Sequence, residues 1–207
     1  MLEGYSKTPE GVVYQVGPKP IDYNLEYIEY YEQLDRAYGE MSYLRLGNLI
    51  GSIGKIPHSV LDVGYGDGSF LRACKKIVPE CYGYDISTYP VPEGCVEVDG
   101  LTTRHYDAIT FFDSLEHFRD ISFVKELNCN YVCVSVPFCH YKSDEWFENW
   151  KHRKPDEHLW HFNKESLTSF MSIMGFKLMT SSNIEDTIRK NKPSEENILT
   201  CIFEKVL

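Results

Sequence analysis

Apolar residues are grouped along this chain in short runs separated by polar, glycine-containing turns. Val60-Leu61-Asp62-Val63 is such a run, and so are Cys81 to Asp85, Val96 to Val98, Tyr106 to Phe112, Tyr131 to Val136, Phe176 to Met179 and Ile198 to Phe203. Runs of this length bounded by turn residues predict strands, and the longest two predict strands buried on both faces. Between them, Phe70 to Ile77, Ile121 to Leu127 and Lys164 to Met174 carry helical spacing, the last with Gly175 placed to cap its carboxyl end. Strands alternating with helices predict a mostly parallel sheet covered on both sides, with ligands received where the strands end.

The flanks read differently. Residues 1 to 22 hold three glycines and three prolines and are expected to form an irregular arm. Tyr23, Leu25, Tyr27, Ile28, Tyr30, Tyr31, Leu34 and Tyr38 predict a helix with an aromatic face over 23 to 38, followed by a second helix from Glu40 to about Ile50. Thr180 to Asn197 is too polar for a core helix and reads as a hairpin-like excursion. The expected division is an arm and helical lid over 1–50 and one unit over 51–207.

With 207 residues the chain can build one sizeable core. A formal charge of −10 argues against a broad phosphate-binding surface, so nucleic acid is an unlikely partner. The one basic run, Lys151-His152-Arg153-Lys154, reads as a solvated loop. No apolar stretch reaches membrane-spanning length, and Met1 to Glu10 lacks a secretory profile. Seven cysteines without a CxxC pair, among them Cys74, Cys81, Cys95 and Cys133, read as reduced, buried thiols of a cytoplasmic protein.

Candidate chemistry sits at predicted strand ends. Asp62-Val63-Gly64-Tyr65-Gly66-Asp67-Gly68 follows one strand and opens a helix, where the chain must turn sharply and a ligand must approach the backbone. A dinucleotide loop would read GxGxxG, and Ser69 stands where that pattern needs its third glycine. An acid two residues before the first glycine has little use against a pyrophosphate but suits a ligand ammonium group. Tyr82-Gly83-Tyr84-Asp85-Ile86 ends the next strand with an acid able to accept both ribose hydroxyls, and Asp99-Gly100 follows the third, where an acid can accept from an adenine amino group.

As a set, DVGYGDG, YGYDIS and YDAITFFDSLEHF resemble the class I S-adenosylmethionine-dependent methyltransferases over residues 58 to 180. The resemblance implies a Rossmann-like, doubly wound, mostly parallel seven-stranded α/β sheet with helices on both faces. It implies that Asp62, Gly64, Tyr65, Gly66 and Gly68 hold the methionine part, that Asp85 with Ile86 meets the ribose and Asp99 with Gly100 the adenine, and that Phe112, Asp113 and Leu115 wall the pocket. The expected cofactor is S-adenosylmethionine, and the expected partner a small-molecule acceptor methylated on oxygen, nitrogen or carbon.

The EH turn (Glu116-His117), the Val136-Pro137 strand end, the later His158 and Gly175-Phe176 resemble the subgroup related to ubiquinone-biosynthesis O-methyltransferases, some of which bind a divalent metal through ExxEH. That resemblance would make Glu116, His117 and His158 ligands, with Asp113 in place of the first glutamate. Such a site would suit a vicinal diol, as on a terminal nucleotide. The other readings take His117 and His158 as metal-free catalytic groups, or as packing residues. Trp146, Phe147, Trp150 and Trp160 either line a substrate pocket or fasten the 140–160 segment to the sheet. A cofactor-binding relative without catalysis is the alternative from another class, and a nucleotide-dependent oxidoreductase is disfavoured by Ser69 and Asp62.

Overall fold

The computed structural model describes residues 1–21, 40–87, 89–189 and 196–206. The aromatic helix expected over 23–38 lies outside the described residues.

Seven strands form the main sheet: β3 (Ser59–Val63), β4 (Glu80–Tyr84), β5 (Val96–Glu97), β6 (Tyr106–Phe112), β7 (Cys129–Pro137), β9 (Phe176–Ser182) and β10 (Ile198–Lys205). Their order is β5-β4-β3-β6-β7-β10-β9, parallel from β5 through β7, with β10 antiparallel to both its neighbours. The chain winds outward from β3 to β5 and returns through β6 to β7, so the order reverses between β3 and β6. Connections diverge there, and in open sheets of this kind ligands are received above the carboxyl ends at such a point.

Alternation along each strand fills two cores. Val60, Ala108, Cys133 and Ile202 point to one face, where Leu49 of helix α1 (Met41–Ile53) and Phe70 and Leu71 of α2 (Ser69–Cys74) cover them. Leu61, Ile109, Val132, Val134 and Phe203 point to the other, covered by Leu167, Phe170 and Met171 of α4 (Lys164–Ile173). Asn163 and Ser166 cap α4 reciprocally, and Gly175 follows it with φ +90. The expected helix over 121–127 is a 3₁₀ segment, Ser122–Glu126.

The arm is more regular than its composition predicts. Tyr5–Lys7 (β1) and Val13–Gln15 (β2) pair antiparallel, and β2 pairs with Trp160–His161 (β8) in a separate three-stranded sheet. Val13 and Tyr14 lie far in sequence from their pairing partners His161 and Trp160, which no local pattern betrays. This small sheet docks on the main one through Leu159 N–H to the Glu116 carbonyl (2.8 Å) and the Phe138–Phe162 bridge. A short helix, α3 (Asp144–Glu148), lies between β7 and β8. In the polar excursion β9 runs on to Ser182 and α5 (Asp186–Arg189) follows; residues 190–195 lie outside the described residues, and β10 pairs antiparallel with β9. All seven cysteines are free thiols, six of them buried. No helix among the described residues is long and apolar enough to cross a membrane.

Candidate active site

The glycine loop leaves β3 in a conformation side chains disfavour. Gly64, Gly66 and Gly68 have φ of +76, +52 and +76. A Cβ on Gly64 would stand 2.7 Å from the Ser114 Cβ, and one on Gly68 would stand 2.4 Å from Pro92. At Gly66 a Cβ would meet nothing within 4 Å, so this peptide borders open space. Its N–H donates to Asp85 Oδ2 at 2.8 Å, while the Ser87 N–H donates to Oδ1 at 2.7 Å. Asp85 therefore stands at the mouth of the loop. Tyr65 turns inward instead: it is buried, its hydroxyl donates to the Tyr89 carbonyl, and its ring lies against Gly83.

Asp62 ends β3 just below the loop and is 3% exposed. Its Oδ1 accepts from the Thr110 hydroxyl at 2.7 Å. Burial pushes its carboxyl up to about 7, against the pull of that hydrogen bond and of Arg45. A buried acid poised at neutral pH fits a ligand that brings its own positive charge. Asp99 and Gly100 follow the edge strand β5, Asp99 exposed, and Ile86 is 67% exposed beside Asp85.

The turn after β6 holds two groups of residues. Phe112 is buried against Phe70 and lies under the Arg45 guanidinium, 4.4 Å away. Leu115 is fully buried in the core and supports the turn from below rather than walling a pocket. Asp113 is left-handed (φ +52), and its Oδ2 accepts from Arg45 (2.8 Å) and Arg189 (2.6 Å). The two guanidiniums hold its carboxyl well below the usual range. They also bind Glu185, which is fully buried. Asp113 is thus committed to this ion-pair network and does not join the metal-ligand set that the ExxEH resemblance gave it.

Glu116, His117 and His158 do come together. One ligand atom from each lies within 4.8 Å of the others. The His117 and His158 rings meet edge-to-face at 4.8 Å. His158 Nδ1 lies 2.8 Å from the His152 carbonyl, which only accepts, so Nδ1 carries the proton and Nε2 presents a lone pair. Burial pushes His117 down to about 4 and His158 to about 2, so both imidazoles are neutral at pH 7. Glu116 is 1% exposed, and neither carboxyl oxygen has a hydrogen-bond partner among the described residues. Burial and nearby Asp113 raise its pKa far above the ordinary value.

The aromatic residues of 140–160 divide. Phe147 is fully buried and Trp160 donates its indole N–H to the Phe118 carbonyl, so these two fasten the segment. Trp146 and Trp150 are half-buried and stack at 5.4 Å. Sequence reasoning missed Arg45, Thr110, Ser114, Glu185 and Arg189. Glu185 and Arg189 have the i,i+4 spacing of a helical ion pair, but nothing local points to Asp113 or Arg45.

The profile of a family described as a methyltransferase domain matches residues 30–181. No curated protein matches by sequence. Among solved structures, the chain is similar to magnesium protoporphyrin IX methyltransferase from Synechocystis with bound SAH, at 12% identity and a TM-score of 0.61, covering 88% of this chain and 96% of that one. It is similar to 1,6-didemethyltoxoflavin-N1-methyltransferase from Burkholderia thailandensis with bound 1,6-didemethyltoxoflavin and S-adenosylhomocysteine, at 13% and 0.59, covering 98% and 99%. A third, the plantazolicin methyltransferase in complex with a desmethyl analogue and SAH, aligns at 12% and 0.57, covering 88% and 91%. At these identities the likeness speaks for the fold.

Proposed function

The chain belongs to the methyltransferase-domain family as a class I, S-adenosylmethionine-dependent member, and from that premise we propose that it methylates a small-molecule acceptor seated above the carboxyl ends of β6 and β7. One observation carries the reading. Gly64 of the ligand loop packs on Ser114 of the turn that bears His117, a contact that supports a cradle and a histidine pair serving one site.

The residues present fit the cofactor. Gly66 leaves room at its Cα, Asp62 is a buried acid at neutral poise, and Asp85 stands at the loop's mouth. Asp62 with the Gly64–Gly68 loop would hold the methionine part and Asp85 the ribose, with Asp99 and Gly100 toward the adenine. When bound, S-adenosylmethionine supplies an electrophilic methyl on a sulfonium. The chain supplies position, worth several kcal/mol in such reactions, and a base. His117, neutral at pH 7, would take the acceptor's proton, and His158 would orient it through the edge-on ring contact. Residues 1–50 would cover the acceptor, with 51–207 as the transferase unit. Similar folds that act on a porphyrin and on didemethyltoxoflavin support a small acceptor.

Calorimetry with S-adenosylmethionine, S-adenosylhomocysteine and NAD tests the cofactor, with micromolar-order affinity (about −8 kcal/mol) expected for the first two. Methyl-group label transferred into a low-molecular-weight extract tests the acceptor. Binding of NAD alone defeats the reading, and cofactor binding without transfer to any acceptor favours a non-catalytic binder.

A second reading rests on Glu116. Its two oxygens are buried and, among the described residues, without a hydrogen-bond partner beside two neutral imidazoles, one with its tautomer fixed by a carbonyl. One carboxylate and two imidazole nitrogens suit a divalent cation. Glu116, His117 and His158 would hold it, and it would supply Lewis-acid activation of an acceptor hydroxyl.

A further inference from the structure

Five half-buried rings run without a break from the carboxyl end of β7 to the histidine pair. Phe138, directly after β7, stacks on His140 at 4.4 Å and 16°. His140 meets Trp146 edge-on at 6.1 Å and 80°. Trp146 stacks on Trp150, and Trp150 meets His152 at 5.4 Å and 68°. The His152 carbonyl is the group that holds His158.

This ledge fastens the segment and still leaves part of each ring open to water. Phe147 lies behind it at zero exposure, edge-on to Tyr5 and to His161 at 5.0 Å each, and these rings already bind the segment to the small sheet. Trp146 and Trp150 pack on the same seam, Trp150 meeting Phe147 at 6.1 Å and His161 at 5.8 Å, and both keep part of their rings in water. The ledge is also fixed in place. His140 Nε2 is 2.8 Å from the Glu196 carbonyl and His152 Nε2 is 2.8 Å from Asn197 Oδ1. Both anchors precede β10, which is antiparallel to β7, so they sit at the carboxyl end of β7. A pre-positioned ring wall loses little freedom when a flat guest lands on it. The two stacked pairs stand at 80° to each other, which offers one surface for the face of a planar guest and another for its edge.

We infer that the methyl acceptor presents a planar aromatic or heteroaromatic ring, and that Trp146 and Trp150 form the platform it stacks on. The inference rests on the methyltransferase reading, because only that reading places an acceptor site above the carboxyl ends. A charge of −10 disfavours a single-stranded nucleic acid as the stacked partner. The platform accordingly suits the small-molecule acceptor proposed above rather than a stacked nucleotide strand.

The test uses the full chain saturated with S-adenosylhomocysteine, titrated with naphthol and with its fully saturated counterpart decalol, by calorimetry and indole fluorescence. Naphthol should quench the fluorescence and bind roughly tenfold or more tighter than decalol. Trp150→Leu should weaken naphthol roughly tenfold while Trp150→Phe keeps most of the affinity, with S-adenosylhomocysteine binding unchanged. Trp146→Leu provides the same comparison should Trp150→Leu fail to fold. Equal binding of decalol, or naphthol binding indifferent to both leucine variants, overturns the platform. Quenching by an oligonucleotide but not by naphthol also overturns it, as does quenching that follows self-association in sedimentation. Failure of S-adenosylhomocysteine to bind overturns the methyltransferase reading and the acceptor assignment with it, whereas its binding with no response to naphthol overturns the platform alone.

Discussion

Gly64 and Ser114 are in such close contact that one added carbon has nowhere to go: a Cβ on Gly64 would lie 2.7 Å from the Ser114 Cβ, and the Ser114 hydroxyl is fixed at 2.6 Å to the Val63 carbonyl. Gly64→Ala therefore combines a left-handed backbone with an overpacked contact, and should destabilise the protein by about 2–4 kcal/mol. Gly66→Ala faces open space and should lose only about 1–2 kcal/mol of stability. Its added methyl enters the room assigned to the cofactor, so its S-adenosylhomocysteine affinity should fall more than its stability does. Denaturant titration and calorimetry on the pair check this. Equal losses of affinity and stability in both variants would show that the open space is not the ligand's.

Asp62 makes cofactor affinity depend on pH. Its carboxyl is raised by burial from an ordinary value near 3.8 to about 7, so the folded protein holds that proton where the unfolded chain has released it. The buried acid then costs stability progressively as pH climbs from about 4 to about 7. A ligand ammonium favours the ionised form, so S-adenosylhomocysteine affinity should rise between pH 5.5 and 7, by up to about tenfold per unit, and level off above. Asp62→Asn should flatten that rise, weaken binding, and raise the melting temperature of the ligand-free protein at pH 8. A pH-independent affinity in the parent would remove Asp62 from the ligand's ammonium group.

Asp85 accepts from the Gly66 and Ser87 N–H groups and keeps further lone pairs for ribose hydroxyls. Asp85→Ala should weaken S-adenosylmethionine and S-adenosylhomocysteine alike by roughly 1.5–3 kcal/mol, the worth of charge-assisted hydrogen bonds. Undiminished affinity in that variant would place the ribose elsewhere.

Arg45 and Arg189 share Asp113 and Glu185, and this network ties α1, the β6 turn and α5 together. Arg45→Met leaves the fully buried Glu185 short of one partner and should cost about 3–5 kcal/mol in denaturation. Adding Glu185→Gln should recover part of that loss, because the stranded charge goes with it. An additive double variant would mean the four side chains do not act as a unit.

Strand positions were readable because burial on both faces leaves mostly apolar runs: Tyr106–Phe112 was expected as it stands, and Ser59–Val63 within one residue. The sharp turn after β3 was readable because closely spaced glycines after an apolar run are a local signal, and the positive φ of Gly64, Gly66 and Gly68 bears that turn out. The trio of Glu116, His117 and His158 was readable only through family resemblance, since 41 residues separate its histidines. What stayed hidden depends on distant partners. Val13 pairs with His161 across the small sheet, and Asp113 answers to Arg45 and Arg189, 68 and 76 residues away. A lone polar residue on a helix such as α1 reads as solvent-facing until the fold places an acid against it.

The histidine pair separates a base from a metal site. His117 is pushed down to about 4, so it is unprotonated across neutral pH. As a metal-free base it should give kcat/KM an acid limb near 4 rather than near the ordinary imidazole value, and a plateau above. His117→Ala should then lower turnover by about 100-fold while cofactor affinity stays near the parent's, because a group acting on the acceptor works mainly in the transition state. His158→Ala should be milder, since that ring only orients the base. A cation held by the trio predicts a different pattern. Mn²⁺ should give a calorimetric isotherm that Glu116→Gln, His117→Ala and His158→Ala each abolish, chelator should end turnover, and Mn²⁺ or Mg²⁺ should restore it. Binding should also release the proton that burial holds on Glu116, so apparent Mn²⁺ affinity should climb with pH. Turnover untouched by chelator, together with no Mn²⁺ isotherm, rejects the cation and leaves the base. Full activity in His117→Ala without any cation response rejects both roles and leaves the two rings as a packing contact.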